Sequence, residues 1–212
     1  MTAARTAIMA LSLLFAAPPC LAMNNYDDPR VILSYMDKSL PGAQDILRVT
    51  TVISGDQLVF QVKTREQLEV PGESDYMLLQ VWQERAHQIL VPLGDGRADT
   101  VLSYASSAQT NPTTHTLKSG ELGGSLGGSL SGSLSPSDFS IRRVPRGVEF
   151  LVPLTWLEYG QKLGFDAYTI RGHAVESSFV IDKIYDRAAK ADREERLISP
   201  IMLLNNLCAT RR

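Results

Sequence analysis

Three histidines, His87, His115 and His173, are the only imidazoles in the chain, and no catalytic motif surrounds them. The sequence contains no Gly-x-Ser-x-Gly elbow, no His-Glu-x-x-His zinc motif and no phosphate-binding loop. Glycoside hydrolysis would require two adjacent carboxylates, and the acids considered for that role are Asp45, Glu149, Asp166 and Glu176. Spacing alone brings no two of these acids together. The sequence therefore favours a protein without catalytic activity.

Segment 76–82 contains side chains of the kind that bind sugars. Aromatic rings stack on the apolar side of a pyranose, while amides and carboxylates bind its hydroxyl groups. Alternation along a strand places Tyr76, Gln80 and Trp82 together on one face, with the residues between them facing the core. These three residues are the predicted ligand-binding platform, and the alternative is a central strand buried on both faces. Trp156 is predicted to belong to the core.

Short runs of alternating apolar and polar residues indicate the elements that would position these side chains. Segments 47–53 and 57–63 flank a Ser-Gly-Asp turn, which predicts a hairpin whose Leu58, Phe60 and Val62 point inward. Further strands are predicted at 76–83, 87–93, 100–105, 139–144, 148–152, 165–171 and 175–181. About nine strands predict an all-β fold, an antiparallel two-sheet β-sandwich of jelly-roll-like type. One short helix is predicted near 153–159.

Two segments are predicted to lie outside the sheets. Residues 119–137 are dominated by glycine, serine and leucine, and such a segment has high chain entropy, so a mobile loop is expected. Its two interpretations are a flap that closes on a ligand and a repeat expansion in a tolerant loop. Residues 182–196 mix both signs of charge and are predicted to form a solvated surface segment.

The first 22 residues have the parts of a cleavable secretory signal peptide. Arg5 supplies the positive charge, residues 7–17 are apolar, and Ala22 is a small residue suited to cleavage. The apolar run is about half of the roughly 20 residues that cross a bilayer, so no integral membrane span is expected. Residues 23–212 are therefore predicted to form a single exported domain, in the periplasm or outside the cell.

An alternative export route is acylation at Cys20, which would anchor the protein as a lipoprotein. Pro18 and Pro19 disfavour it, because proline restricts the extended backbone that a peptidase must bind. After removal of the signal, Cys208 is the only cysteine, so no intramolecular disulfide is expected. We interpret Cys208 as a small apolar residue, the alternatives being a nucleophile or an intermolecular bridge.

Charge restricts the classes of partner. Without the signal peptide the chain has 20 basic and 23 acidic residues, so it has no basic field that would attract nucleic acid or anionic lipid. No nucleic-acid partner is therefore expected. A carbohydrate, a cell-envelope component or a protein partner remains compatible with this composition.

Three segments together resemble the carbohydrate-binding module of family 9 and the wider DOMON-like group of β-sandwiches. The first segment consists of Asp27-Asp28-Pro29, residues 41–47 and the hairpin that follows them. The second is residues 148–157, a predicted strand followed by a proline and a short helix. The third is residues 163–169, which resemble the next strand of that group. The resemblance covers most of the chain after the signal peptide. It implies an extracytoplasmic sandwich that binds sugars, haem or other small ligands, often beside a structural calcium.

The expected function is that of an exported, non-catalytic binding protein for a carbohydrate or a cell-envelope component. The alternative is a structural or protein-interaction subunit of the cell envelope without a small ligand. A calcium site would gather oxygen ligands from loops, and its candidates are Asp27, Asp28, Asp45 and Asp166, which could instead be surface or capping acids. Arg30-Val31 stands where the resembled group often has Gly-Asp. No cofactor other than calcium is expected.

Overall fold

The computed structural model describes residues 28–67, 74–83, 86–94, 102–106, 120–122, 125–126, 139–175, 178–190 and 197–204. Within these ranges the chain forms two antiparallel sheets, which confirms the predicted all-β two-sheet sandwich. The predicted signal peptide, Cys20 and Cys208 lie outside the described residues. No helix among the described residues is long and apolar enough to span a bilayer.

Sheet A contains five strands in the order β1-β2-β3-β10-β9, which are Val31–Leu33, Ile46–Ser54, Gln57–Thr64, Gly147–Pro153 and Ser140–Val144. Strands β2 and β3 form the predicted hairpin, in which Gly55 takes a positive φ of 63° in the two-residue turn. Leu58, Phe60 and Val62 are buried, as predicted, while the residues between them are half-buried. This alternation shows that one face of sheet A packs against the core.

Sheet B follows the order β7-β12-β11-β4-β5-β6-β8. Its strands are Gly120–Leu122, Ser178–Arg187, Leu163–Val175, Asp75–Trp82, Ala86–Pro92, Leu102–Ser106 and Ser125–Leu126, and β13, Leu197–Ile198, pairs with the start of β11. A 3-10 turn at Leu154–Trp156 lies within the predicted helix region, and a five-residue helix, α1, follows at Pro200–Leu204.

Sheet B is strongly curled. Strands β7 and β8 stand at its two ends, six steps of about 4.8 Å apart, so a flat sheet would separate them by about 29 Å. Only residues 123 and 124 connect Leu122 to Ser125, which limits the distance between their Cα atoms to about 11 Å. The sheet must therefore bend back on itself, and one of its faces becomes concave.

Two apolar clusters occupy the two faces of sheet B. Met77, Leu79 and Val81 of β4 belong to the large core shared with sheet A. Tyr76 and Leu78 belong to a second cluster with residues of β5, β11 and β12. The rings of Tyr76 and Phe179 meet edge to face at 5.1 Å although β11 separates their strands, and sheet A packs on the opposite face of sheet B, so we assign this side as the concave one. Strand β4 is therefore buried on both faces.

A buried ion network joins the segment before β2 to the end of β12. Lys190 Nζ lies 2.8 Å from Asp45 Oδ1 and 2.9 Å from Asp186 Oδ2. Arg65 Nε lies 3.0 Å from the other oxygen of Asp45, and Asp186 also accepts the backbone N–H of Ile46 at 2.7 Å. Burial alone would lower the pKa of Lys190, but its hydrogen bonds to the two carboxylates raise it above the ordinary value. The ammonium is thus a charged structural element.

All nine predicted strands overlap observed strands. The sequence did not predict β1, β7, β8, β13 or α1. The segment predicted to be solvated begins instead inside β12, which continues to Arg187 with Asp186 buried. In the glycine-rich segment 119–137, two short pieces are strands β7 and β8, and the remaining residues lie outside the described ranges.

Candidate functional site

A recess of about 350 Å³ lies between the two sheets, at the end of the sandwich where β4 ends and β5 begins. Its walls come from the first residues of β3 and β11, the end of β10 and the 3-10 turn. Trp82 and Trp156, the only tryptophans of the chain, both line it. A volume at the lower end of the roughly 300–1,000 Å³ typical of ligand sites suits a small molecule or the end of a longer one.

Trp156 is the more accessible of the two tryptophans. Pro153 ends β10, and Trp156 is the last residue of the 3-10 turn that follows; its side chain lines the recess and is half-buried. The imidazole of His87 packs on the indole with ring centroids 4.9 Å apart and an angle of 33°, and Phe139 supports it from the side at 6.2 Å. The indole is therefore held in a fixed orientation by two rings.

Trp82 occupies the last position of β4, directly opposite Gly164 of β11. A Cβ atom at position 164 would collide with the indole ring of Trp82, so the indole lies across the glycine backbone. An aromatic ring that covers a cross-strand glycine is a known way to stabilise a sheet at such a position. Trp82 is only 5% exposed, so little of its surface is available to a ligand.

Gln83 fixes the loop beneath Trp156 to the end of β4. Its side-chain Nε2 donates to the backbone oxygens of Glu158, at 2.9 Å, and Gln161, at 3.2 Å. Its Oε1 accepts the backbone N–H of Glu158 at 2.9 Å. The Gln83 amide thus makes three hydrogen bonds to the loop that follows Trp156. These bonds fix the end of β4, which contains Trp82, relative to that loop.

The one charged residue among the described residues that line the recess is acidic. Glu158 is exposed at its rim, and no lysine or arginine occurs among the described residues that line it. Among the described residues of the lining, an anion would therefore meet the Glu158 carboxylate and no cation. The lining combines aromatic surface, an amide, an imidazole and the Thr155 hydroxyl, which suits uncharged ligands with hydroxyl groups.

The predicted open platform on β4 is not present. Tyr76, Gln80 and Trp82 do share one face of the strand, but they are 6%, 5% and 5% exposed. That face is the concave face of sheet B, and the three side chains on it are almost entirely buried. The core position predicted for Trp156 is also only half correct, because its indole packs against the core yet lines the recess. Of the predicted ligand-binding residues, the structure brings only Trp82 to the recess.

The predicted calcium ligands are separated, and each described one is paired with a basic side chain. Asp28 is bound by Arg30 at 2.7 Å, and Asp45 by Lys190 and Arg65, while Asp166 accepts the guanidinium of Arg187. No three histidine, cysteine or acidic residues gather as a metal site in the described ranges. Asp27 lies outside those ranges. The acids act as structural ion-pair partners.

The pKa values of two of these acids reflect their surroundings. The side-chain hydrogen bond from Arg30 holds the pKa of Asp28 below its ordinary value, although partial burial opposes it. Burial raises the pKa of Asp166, and the charge of Arg187 opposes that change. Asp166 also accepts the backbone N–H groups of Ala167 and Ala189. Its oxygens are thus occupied by protein donors.

The acids considered for glycoside hydrolysis do not meet at the recess. Asp45 and Asp166 are occupied as described, and Glu149 accepts Gln61 Nε2 at 2.6 Å and lies 3.3 Å from Arg142 on sheet A. Glu176 lies outside the described residues. None of the three described acids lines the recess.

Sequence reasoning missed Gln83, His87 and Glu158 as residues of the recess. Gln83 and His87 flank the short β4–β5 connection, and Glu158 follows the 3-10 turn. Their positions beside the two tryptophans were visible in the sequence, but nothing in it showed that the two segments meet. In comparisons with known proteins, no family model, no curated protein and no solved structure matches the chain.

Proposed function

We propose that this protein is a non-catalytic binding protein, and that the recess at the end of its sandwich takes an uncharged carbohydrate. The observation that carries the proposal is that both tryptophans of the chain line this one recess, beside Gln83 and His87. Indole rings bind the apolar face of a sugar, and polar groups at the edge bind its hydroxyls. The resemblance to family 9 carbohydrate-binding modules points to the same class of ligand.

The charge of the lining narrows the ligand class. Glu158 is the one charged residue in the described lining, and its carboxylate disfavours uronic acids, sialic acids and phosphorylated sugars. Trp156 is the residue on which a sugar would stack, because it is accessible and held by His87 and Phe139. Neutral glycans should therefore bind better than anionic glycans of the same size.

Tryptophan fluorescence tests the proposal directly, since both fluorophores are at the site. The mature protein is titrated with a panel of neutral and acidic soluble glycans, with and without calcium. We expect a saturable shift with at least one neutral glycan that Trp156→Ala abolishes. Tyr159→Ala is the matched control, because Tyr159 is an adjacent aromatic side chain, 53% exposed and not part of the lining. A shift that both variants lose equally would contradict the proposal.

A second candidate function is that of a protein-interaction subunit. Helix α1 buries Pro200 and Leu203 but exposes Ile201 and Leu204 by 67% and 51%. Exposed apolar side chains on one element are typical of a contact surface. If no glycan of the panel shifts the tryptophan fluorescence, this function is favoured over sugar binding.

Export is part of the proposal. The amino-terminal sequence supports it through the charge of Arg5, the apolar segment 7–17 and Ala22. Intact-mass measurement of the protein produced in an exporting bacterial host tests it. A chain that begins at Met23 in the extracytoplasmic fraction is expected, whereas an intact amino terminus in the cytoplasm would contradict export.

A further inference from the structure

On the concave face of sheet B, the side-chain oxygens of two buried glutamines have no hydrogen-bond donor among the described residues. Gln80 of β4 and Gln88 of β5 lie directly opposite each other in register. They are 5% and 6% exposed. Neither Oε1 atom finds a donor among the residues that the structure describes. Such a group ordinarily costs about 1–3 kcal/mol, so two together on one face require an explanation.

The neighbours of this pair place it between an aromatic surface and an apolar core. Along β4, Leu78 and the second apolar cluster lie on one side of Gln80, and Trp82 lies on the other. Residues two apart on a strand are about 7 Å apart on the same face. The Gln80 amide and the Trp82 indole are therefore close enough for one sugar ring to contact both. On β11, Asp166 stands opposite Gln80 and is already bound by Arg187.

We propose that Gln80 and Gln88 form a second binding site, separate from the recess, for the hydroxyl groups of a small uncharged polyhydroxylated molecule. Each Oε1 accepts one hydroxyl donor of the ligand, and the amide groups make the site bind neutral rather than ionic molecules. The carboxylate of Asp166 adds no net charge, because Arg187 neutralises it. The ligand lies on the concave face, whereas the recess opens between the two sheets.

Side-chain amide signals in nuclear magnetic resonance spectra provide the direct test. The full mature chain is labelled with ¹⁵N, and the signals of the two glutamines are assigned from their loss in Gln80→Leu and Gln88→Leu. The probe is methyl β-D-glucoside, with glucuronate as the anionic comparison. We expect a saturable movement of both amide signals with the glucoside and none with glucuronate. Absence of movement with the glucoside would overturn the proposal.

Affinity measurements on variants separate binding from a structural role. Each lost hydrogen bond is worth about 0.5–1.5 kcal/mol, so the double variant Gln80→Leu/Gln88→Leu should bind the glucoside about fivefold or more weakly at this site. Gln57→Leu on sheet A is the matched control and should leave the affinity unchanged. If the double variant is more stable and binds the glucoside as before, the amides are only buried polar groups, and the proposal is wrong.

The two single variants keep the test informative if the double variant does not fold. Each should weaken binding about two- to twelvefold, the range that corresponds to one hydrogen bond. Trp156→Ala distinguishes this site from the recess. It should abolish binding at the recess and leave the glutamine signals responsive. If the glutamine response disappears with Trp156, the recess is the one site and the second site does not exist.

Discussion

Lys190→Met removes the charge at the centre of the buried ion network and leaves the apolar stem in place. The Lys190 side chain is only 7% exposed. Its ammonium is within 3 Å of Asp45 and Asp186, and it donates to the backbone oxygen of Tyr35 at 2.9 Å. Methionine is long enough to fill the same space but cannot donate a hydrogen bond. The substitution therefore removes electrostatic contacts with little change in packing.

The contacts of Lys190 set the expected loss in the free energy of unfolding of the Lys190→Met variant. Removing one partner of a buried ion pair costs about 3–5 kcal/mol, because the remaining charge stays buried without compensation. Asp45 keeps Arg65 at 3.0 Å, and Asp186 keeps the N–H of Ile46 at 2.7 Å. These remaining donors place the loss at the lower end of that range, at about 3 kcal/mol. Such a loss is a large part of the roughly 5–15 kcal/mol that stabilises an ordinary domain.

Urea unfolding followed by tryptophan fluorescence measures this loss as a change in the free energy of unfolding. Lys63→Met is the control, because among the described residues Lys63 Nζ bonds only the Pro145 oxygen, in an exposed position, and the change in stability should be about 0.5 kcal/mol or less. Asp186→Asn in the Lys190→Met background should recover part of the lost stability, since it removes a buried carboxylate that no longer has its ammonium partner.

Two results would refute this reasoning. A loss below about 1 kcal/mol for Lys190→Met would mean that the network behaves like an exposed ion pair. A further loss of stability on adding Asp186→Asn would mean that Asp186 is not left uncompensated when Lys190 is removed.

Three further substitutions test other features by urea unfolding. Asp28→Asn should cost at most about 1 kcal/mol at neutral pH. A carboxyl whose folded pKa is lowered stabilises the fold above its unfolded pKa, so this cost should shrink as the pH falls toward the folded pKa, and a cost that grows on acidification would contradict it. Gly164→Ala should cost about 1–3 kcal/mol and shift the emission of Trp82, because its Cβ meets the indole, whereas Gly160→Ala meets no atom within 4 Å and should be nearly neutral. Gly55→Ala should cost about 1 kcal/mol because of its positive φ, and a neutral effect would contradict the turn geometry.

The strands were predictable because their signal is local. Alternation along β3 and a Gly-Asp turn define a hairpin without reference to any other part of the chain. Strands β1, β7, β8 and β13 contain only two or three residues each, too few for a periodic pattern. The end of β12 was misread because Asp186 is charged, and its burial depends on Lys190 and the Ile46 backbone.

The candidate site was less predictable because it depends on contacts between distant segments. Alternation correctly placed Tyr76, Gln80 and Trp82 on one face of β4, but it cannot show what covers that face. The curl of sheet B buries it, and the curl follows from the pairing of β7 and β8 with opposite edges. Trp156 reaches the recess because β10 ends beside β3, which no local pattern reveals.

Trp82 stands where the two proposed sites approach each other. By alternation it shares the concave face with Gln80, yet it also lines the recess that contains Trp156. A ligand at either site can therefore change its emission, and a shift in the wild-type protein alone does not say which site is occupied. Trp156→Phe leaves Trp82 as the only indole, so a shift that survives in this variant but is lost with Gln80→Leu reports the concave site. A shift that depends on Trp156 and not on Gln80 reports the recess.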